Sequence, residues 1–494
     1  MGKKAIIIGA GFSGISTATH LAANGFEVLV LEKNETLGGR ARTFTSENGF
    51  VFDMGPSWYW MPDVFENHFA AFGKKVSDYY TLKRLDPSYQ VFFEDGDVIS
   101  LPAKMEALEK LFEQLEPGST PHLRKFLKEA AYKYTVGMNE FVNKPSHSIF
   151  EFADWRVLKS FFQLDMFTGM SEYVARHFKN NKLRQIIEFP VLFLGATPKS
   201  TPALYSLMNH ADLTLGTWYP MGGMHKIIEG MISLAIDEGV RFQTGKEVAE
   251  ILTNGNVATG IKTKSGEIVT ADVIVGSADY NHVDTKLLQE KDKNYSEKYW
   301  DTRVMAPSSL LFYLGVNKRL KNLVHHNLFF DSDFNQHAHE IYDAPQWPSA
   351  PLFYASVPSI TDASVAPAGY ENLFLLIPIA PNLEDSDALR EKYYNVIMER
   401  LEKRTGQTIR DSIIYKRSYC LTDFQDDYHA YKGNAYGLAN TLLQTAFLKP
   451  KLKNKHLKNF WYAGQLTTPG PGVPPSIISG KVAADDIIKQ FKMV

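Results

Sequence analysis

The sequence predicts an α/β fold in which one parallel sheet is assembled from three separated stretches of the chain. Three observations predict it. Residues 4–32 have the pattern of a buried strand, a glycine-rich turn, a helix and a second strand that ends on an acid. A short hydrophobic strand that runs into small residues recurs at 271–277 and again at 460–464. The predicted domains are a nucleotide-binding domain of residues 1–80, 223–290 and 431–494, a mostly helical insertion of residues 81–222, and a remainder of residues 291–430.

The glycine-rich turn has the spacing that binds a dinucleotide. It reads Gly9-Ala10-Gly11-Phe12-Ser13-Gly14. Gly9 permits the tight turn, Gly11 lets the backbone approach a pyrophosphate, and Gly14 lets the helix pack closely on the strand. The free N–H groups at the helix start, including those of Phe12 and Ser13, then face the phosphate charge. The segment therefore predicts a Rossmann-like domain.

Residues just beyond the second strand indicate which dinucleotide binds. Glu32 lies about 20 residues after the glycines, where a carboxylate accepts hydrogen bonds from ribose hydroxyls, and Lys33 follows it. An acid at this position favours FAD or NAD over NADP. Gly39 and Arg40 come next, and an arginine fork suits a pyrophosphate oxygen pair. This favours FAD, although a solvated basic turn is the alternative.

Composition restricts the partners. The chain has 494 residues, of which 44% are hydrophobic and 22% charged, and a net charge of −2 without long basic blocks excludes nucleic acid as an expected partner. Its one cysteine, Cys420, excludes an intramolecular disulfide and any multi-cysteine metal site, which suits a reducing cytosol. No uncharged apolar run approaches the roughly 18 residues of a membrane span. The 13% aromatic content fits either an aromatic core or an apolar ligand.

The inserted segments carry mixed periodicity. The predicted helices are Lys104–Leu115, Pro121–Val136, Trp155–Phe167, Ser171–Phe178 and Asp387–Thr405. The predicted strands of the middle segment are Val240–Gln243, Glu247–Thr253, Val257–Thr263 and Glu267–Val275. Val248, in the second of these strands, is included among the predicted cofactor contacts.

The C-terminal region is the second informative segment. A strand ends at Gly464, a Pro/Gly-rich turn follows, and a helix starts beside Pro475. Backbone N–H groups between Val473 and Ile477 can meet flavin carbonyls, and the helix start favours the negative charge of reduced flavin. The residues predicted to contact the cofactor here are Gly464, Gln465, Gly472, Val473 and Ile477.

This region resembles the C-terminal signature of bacterial and fungal phytoene desaturases and related carotenoid desaturases. The similarity extends in order along essentially the whole chain. It includes Phe52-Asp53-Met54-Gly55-Pro56-Ser57, Trp218-Tyr219-Pro220-Met221-Gly222-Gly223-Met224, Thr361–Pro367 and Ala430–Ala435. The resemblance implies FAD held in extended form by an amine-oxidase-like fold, with Gly55, Pro56 and Ser57 among its contacts. The chain departs from wider flavin relatives in carrying Gln465 where an acid often follows the glycine.

The resemblance also implies a function. It implies desaturation of phytoene to lycopene, by successive hydride transfers from saturated C–C bonds to flavin N5. The expected partners are a long apolar polyene, the inner face of the cell membrane as a peripheral surface, and oxygen or a quinone as electron acceptor. Alternatives are a hydroxylated-carotenoid 3,4-desaturase, a dehydrosqualene desaturase, a flavin amine oxidase, a retinoid saturase-like enzyme, or a lipid-binding protein that keeps the scaffold without catalysis.

Few side chains are candidates for catalysis. By the resemblance, Asp154 falls where a functional acid has been proposed, and a helix N-cap is the alternative role. The aromatic run Trp58-Tyr59-Trp60-Met61 either lines a polyene tunnel or packs in the core. The helical stretch of about 150–190 suits either a membrane surface or an ordinary amphipathic helix. His225 and the pair His325-His326 are expected to be satisfied core or surface histidines, and none is assigned a catalytic role.

Overall fold

The computed structural model describes residues 2–145, 168–192, 197–441, 444–445 and 448–492. Its strands, in chain order, are β1 (Lys4–Ile8), β2 (Glu27–Leu31), β3 (Thr43–Thr45), β4 (Val51–Asp53), β5 (Leu82–Arg84), β6 (Tyr89–Phe93), β7 (Val98–Leu101), β8 (Trp218–Pro220), β9 (Arg241–Gln243), β10 (Val248–Asn254), β11 (Val257–Thr263), β12 (Ile268–Thr270), β13 (Val273–Gly276), β14 (Ser308–Val316), β15 (His326–Phe330), β16 (Phe353–Ser356), β17 (Glu371–Ile379), β18 (Ile413–Tyr419) and β19 (Phe460–Tyr462). The helices of eight or more residues are α1 (Phe12–Ala22), α2 (Pro62–Ala70), α3 (Met105–Leu115), α4 (Thr120–Val136), α5 (Met170–His177), α6 (Asn181–Leu192), α7 (His225–Asp237), α8 (Phe334–Tyr342), α9 (Asp387–Thr405), α10 (Leu421–Tyr428) and α11 (Val473–Lys492).

The first sheet is parallel and contains the nucleotide-type strands. Its order is β19-β13-β1-β2-β9, so strands from the start, the middle and the end of the chain lie side by side. Its central strands are buried because parallel sheets are covered on both faces. Helices α1 and α11 pack together on this sheet, and the Ser16 hydroxyl donates a hydrogen bond of 2.9 Å to the carbonyl of Ile477. The predicted α/β class with a Rossmann-like parallel sheet is confirmed.

One predicted strand divides in two. Residues 267–275 were expected to form a single strand, whereas β12 pairs with β11 in an antiparallel meander and β13 pairs with β1 and β19 in the parallel sheet. The chain changes sheets at Ala271-Asp272. The Asp272 carboxylate accepts the Lys4 backbone N–H at 2.8 Å and so holds this junction at the N-terminal ends of the parallel strands β1 and β13.

The second sheet has seven strands in the order β18-β14-β17-β16-β15-β6-β7. All its pairings are antiparallel except that of β15 with β6. Residues 82–101, which fall in the segment expected to be mostly helical, form β5, β6 and β7 instead. All five residues of β6 are buried, so this strand lacks the alternation that marks a half-exposed strand. Helices α3, α4 and α5 follow close to their predicted positions, α6 was not predicted, and the helix expected at 155–167 lies outside the described residues.

The two faces of the second sheet have different partners. On one face Phe329, Leu373 and Leu375 belong to a core that also contains α9 residues such as Ile397 and Leu401. Side chains at alternating positions, including Leu328, Tyr354 and Leu376, point to the other face and line an apolar chamber. No helix formed by the described residues is long and apolar enough to cross a membrane.

Candidate cofactor and substrate site

A cavity of about 1050 Å³ opens beyond the carboxyl ends of the parallel strands, the position where open α/β sheets bind nucleotides. The predicted cofactor residues that line it are Gly9, Gly11, Phe12, Ser13, Glu32, Lys33, Gly39, Arg40, Val248, Gly464 and Gln465. They come from three distant stretches of the chain. Sequence spacing and the sheet order therefore bring most of the predicted residues to one place.

The other predicted residues lie outside this lining. Gly55 and Ser57 line a neighbouring pocket of about 460 Å³, with Pro56 between them in the chain. Gly472, Val473 and Ile477 lie at the start of α11. Gly14 faces the strand rather than the cavity, because a Cβ there would lie 2.0 Å from the Gly9 carbonyl oxygen.

The glycines of the turn leave room for a phosphate group. Gly9 has a φ of +103°, a left-handed conformation that favours glycine. A Cβ on Gly11 would meet no atom within 4 Å, although this residue lines the cavity. A Cβ on Gly39 would lie 3.1 Å from the Gly11 Cα, so the two glycine segments face each other closely. The open space at Gly11 fits a diphosphate that approaches the helix N-terminus.

The Glu32 carboxylate is held at the edge of the cavity. It is 5% exposed; one oxygen accepts the Ala10 N–H at 2.9 Å, and the other accepts the Asn34 N–H at 2.9 Å. The Asn34 side-chain amide donates a second bond of 3.0 Å to this other oxygen. An ionised carboxylate has about four acceptor positions, so the oxygen bonded to Ala10 keeps one position that fits a ribose hydroxyl.

Arg40 and Asp279 place opposite charges on the cavity wall. Burial lowers the pKa of Arg40, and the nearby Asp279 carboxyl partly offsets this shift. Burial raises the pKa of Asp279, and the Arg40 guanidinium partly offsets that shift. The Arg40 Nη2 donates a hydrogen bond of 3.2 Å to the Asn434 carbonyl oxygen. The Arg40 Nε has no hydrogen-bond partner among the described residues, so a buried donor remains for a phosphate oxygen. The donor set at this wall fits the pyrophosphate of FAD.

Sequence reasoning missed several residues that line the cavity. His282 stacks on His429 with ring centroids 4.0 Å apart, and the His429 Nε2 lies 2.9 Å from a Glu247 oxygen. Burial lowers the pKa of His282 to about 3, so its ring is neutral at pH 7. These residues have no local motif; only the tertiary fold brings them together.

The candidate catalytic residues have separate outcomes. Asp154 lies outside the described residues and stays a prediction. The His225 Nδ1 lies 2.8 Å from the Ala41 carbonyl oxygen, and the His325 Nδ1 lies 2.8 Å from the Thr361 hydroxyl. Both contacts are those of packed histidines. No group of three or more metal-ligating side chains is found in the described ranges.

The aromatic run packs in and against the core. Tyr59 and Trp60 are buried in the core, whereas Trp58 is partly exposed. The Trp58 ring stacks on His326 at 4.1 Å and lies 5.5 Å from Tyr354 and 5.9 Å from Phe189. Phe189 and Tyr354 both line the apolar chamber, so Trp58 packs against two of its wall residues without being part of the described lining.

The apolar chamber has a volume of about 680 Å³. It is lined by Phe189, Leu192, Pro307, Leu328, Phe330, Phe334, His337, Ala338, Ile341, Tyr342, Leu352, Phe353, Tyr354, Leu376, Pro378 and Tyr436. This lining, taken over the described residues, contains no acidic side chain, lysine or arginine. His337 is also uncharged at neutral pH, because burial lowers its pKa to about 4; its Nδ1 accepts the Leu352 N–H at 2.9 Å. The chamber therefore suits an uncharged hydrocarbon.

Comparisons with known proteins agree with this geometry. The family model of the flavin containing amine oxidoreductases matches residues 12–488. Among similar proteins, a carotenoid 3,4-desaturase of Haloarcula japonica is 40% identical over 99% of both chains. A zeta-carotene-forming phytoene desaturase of Myxococcus xanthus is 31% identical over 99% of this chain and 94% of the relative. A 4,4'-diapophytoene desaturase of Staphylococcus aureus is 30% identical over 99% of both chains.

Solved structures show the same fold at low identity. Cyclohexylamine oxidase from Brevibacterium oxydans superposes with a TM-score of 0.61 at 15% identity over 100% of both chains. A putrescine oxidase superposes with a TM-score of 0.62 at 12% identity over 99% of both chains. The family match and the three relatives together confirm FAD as the cofactor and oxidation of CH–CH groups as the class of reaction. The chain belongs to the flavin-containing amine oxidoreductase family and, within it, to the carotenoid desaturases.

Proposed function

We propose that this protein desaturates phytoene to lycopene, by repeated removal of hydrogen from saturated C–C bonds of a polyene lying in the apolar chamber. The observation that carries the proposal is the uncharged lining of that chamber. A substrate amine is charged at neutral pH, and burying its charge without a partner costs far more than burying a hydrocarbon. The same lining argues against an amine oxidase, although the fold is shared.

The cofactor residues support an extended FAD. In this proposal the Gly9–Gly14 loop and Arg40 hold the pyrophosphate, Glu32 holds the adenosine ribose, and Gly464 and Gln465 continue the path toward the start of α11. Bound FAD supplies the hydride acceptor at N5. Val248, Lys33, Gly55, Pro56, Ser57, Gly472, Val473 and Ile477 stay predicted contacts along this path.

The protein has to orient the hydrocarbon and exclude water. Trp58 directly follows Ser57, a predicted flavin contact, and its ring packs against Phe189 and Tyr354 of the chamber wall. Loss of a hydride from carbon leaves positive charge, which the face of an indole ring stabilises. Asp154 stays the predicted carboxylate for this charge or for the proton that leaves next.

A second candidate is 3,4-desaturation of a carotenoid end. The 40% identity to the carotenoid 3,4-desaturase of Haloarcula japonica, over almost the whole of both chains, favours it specifically. Both candidates use the same chamber and the same hydride acceptor. They differ in which C–C bond is placed beside the flavin.

We also propose how the substrate arrives and where the electrons leave. A long polyene dissolves in lipid rather than water, so the protein takes it up as a peripheral protein at the inner face of the cell membrane. The electrons pass from reduced flavin to oxygen or a membrane quinone. Flotation with liposomes and reoxidation by each acceptor measure these two properties separately.

Expression in a host that accumulates phytoene tests the proposed reaction. Chromatography and mass analysis of the pigments should show lycopene, formed only when the wild-type chain is present. A Gly11→Ala variant, expected to fold normally but to bind FAD at least about tenfold more weakly, provides the matched control and should form less lycopene. A host that supplies lycopene and hydroxylated carotenoids tests the second candidate by the formation of 3,4-didehydro products. Unchanged pigments in both hosts would refute both reactions.

A further inference from the structure

Two buried polar side chains near the C-terminal turn have atoms without partners. Lys449 is 3% exposed and Asn440 is 4% exposed. The Lys449 Nζ and the Asn440 Oδ1 have no hydrogen-bond partner among the described residues. A buried ammonium and a buried amide oxygen are costly when unpaired, so both atoms indicate a missing binding partner.

Both atoms face the same glycine. A Cβ on Gly470 would lie 3.1 Å from the Lys449 Nζ and 3.2 Å from the Asn440 Oδ1. Gly470 and Gly472 have φ values of +135° and +113°, a conformation that favours glycine, so no side chain covers the backbone at these positions. This turn joins Gly464, on the wall of the cofactor cavity, to Val473, where α11 begins. The unpartnered pair therefore lies beside the turn that connects the cavity wall to the start of α11, where the flavin end of an extended FAD is predicted.

The surroundings of Lys449 provide no compensating charge. Burial alone lowers the pKa of Lys449 to about 7, and no charged group among the described residues contributes to the shift. The ammonium lies beside the Gly470 backbone and the neutral Asn440 side chain. An ammonium in this environment is stabilised by an electron-rich ligand atom.

We propose that Lys449 and Asn440 bind the pyrimidine edge of the flavin ring, with the Lys449 ammonium donating to a ring carbonyl oxygen and the Asn440 side-chain oxygen accepting the ring N3–H. The inference rests on the proposed placement of FAD. The flavin imide offers carbonyl acceptors on either side of an N–H donor, which matches one ammonium and one amide oxygen. A quinone offers carbonyl oxygens only and leaves the Asn440 oxygen unpaired.

The two contacts have different consequences for the cofactor. Reduction increases the negative charge at the pyrimidine edge of the flavin, so the Lys449 ammonium binds the reduced form more strongly than the oxidised form. The neutral bond from N3–H to Asn440 is similar in both forms. Lys449 therefore raises the midpoint potential of the flavin, whereas Asn440 mainly strengthens FAD binding.

Spectroelectrochemical titration of the purified holoenzyme without polyene tests the role of Lys449. Lys449→Met should lower the midpoint potential by about 30 mV or more, which is a tenfold loss of preference for the reduced flavin in a two-electron couple. Lys449→Arg, which keeps the charge, should retain most of the wild-type potential. Lys458→Met removes an exposed lysine of the same segment and should leave the potential unchanged. An unchanged potential in FAD-loaded Lys449→Met would overturn the proposal.

Asn440→Leu separates binding from redox tuning. It should raise the Kd for FAD about tenfold while leaving the midpoint potential close to that of the wild type. A Kd equal to that of the wild type would contradict the assigned bond.

The wild-type enzyme provides a test in case Lys449→Met does not fold or does not retain FAD. Reduction should raise the pKa of Lys449, so that above about pH 7 the enzyme takes up one additional proton per two electrons. The midpoint potential should then fall more steeply with pH, by about 30 mV per unit beyond the slope below pH 7. Lys449→Arg should lose this additional slope, and its absence from the wild type would refute the proposal. None of these measurements uses a carotenoid, so their failure is distinct from failure of the proposed desaturation.

Discussion

Gly11 and Gly14 belong to one short motif, yet their alanine variants should fail in different ways. Gly11→Ala places a methyl group in the open cavity, where no atom lies within 4 Å. Its φ of −82° and ψ of −178° suit alanine without strain. Gly14→Ala places a methyl group 2.0 Å from the Gly9 carbonyl oxygen, within the contact of α1 on β1.

The expected magnitudes follow from these surroundings. Backbone atoms oppose the methyl group of Gly14→Ala, so α1 has to move by more than about 1 Å, and overpacking of this kind costs about 1–3 kcal/mol of unfolding free energy. Gly11→Ala should leave the unfolding free energy of the apoprotein within about 1 kcal/mol of the wild-type value. It can raise this free energy slightly, because alanine has fewer conformations than glycine in the unfolded chain. It should nevertheless raise the Kd for FAD at least about tenfold, because loss of one charge-assisted hydrogen bond to the pyrophosphate costs about 1.5–3 kcal/mol.

Two measurements on the apoprotein distinguish the variants. Denaturant titration gives the unfolding free energy of each variant without the stabilisation that bound FAD adds by mass action. Quenching of flavin fluorescence gives the Kd for FAD. Equal destabilisation of both variants, or wild-type FAD affinity in Gly11→Ala, would refute the assignment of Gly11 to the cofactor and Gly14 to packing.

Three further predictions concern the site and its surroundings. Glu32→Gln should raise the Kd for FAD about tenfold by weakening the bonds to ribose hydroxyls, measured by the same fluorescence titration. Ala338→Phe should lower polyene turnover about a hundredfold by displacing substrate in the chamber, while bound FAD per chain, read from absorbance, stays at the wild-type value. Burial raises the pKa of Asp212 to about 7 from an unfolded value near 3.8, so its stabilising contribution is complete below pH 3.8 and is lost as the pH rises to 7. The unfolding free energy of Asp212→Asn should therefore rise relative to that of the wild type by roughly 3 kcal/mol between pH 4 and 7, measured by urea unfolding at both values; a constant difference would contradict the raised pKa.

The cofactor half could be predicted from the sequence because its signals are local. The Gly9–Gly14 turn, the following helix and Glu32 lie within one βαβ unit, and their spacing determines their geometry. The C-terminal strand and Gly464 have a similar local signature. Most of these residues line one cavity because parallel strands end at the same edge of a sheet.

The remaining parts depend on contacts between distant residues. The fully buried β6 has no alternating pattern, and its pairing with β15 joins segments more than two hundred residues apart. The stacked His282 and His429 and the unpartnered Lys449 occur in segments without a recognisable motif. Burial and the absence of a partner identify them, and neither property can be read from a single sequence.

The contrast between the two cavities explains why fold similarity alone is a poor guide to the substrate here. The cofactor cavity is formed largely by glycine backbone and a few charged groups at the carboxyl ends of the parallel strands, so its position follows from the fold. The chamber is formed by side chains on one face of the second sheet and on α8, and these can change without disturbing the glycine turn. An amine substrate requires a compensating group in such a chamber, because an unpaired buried charge is costly. The described chamber lining contains no carboxylate, which is why its chemistry, rather than its similarity to amine oxidases, supports a hydrocarbon substrate.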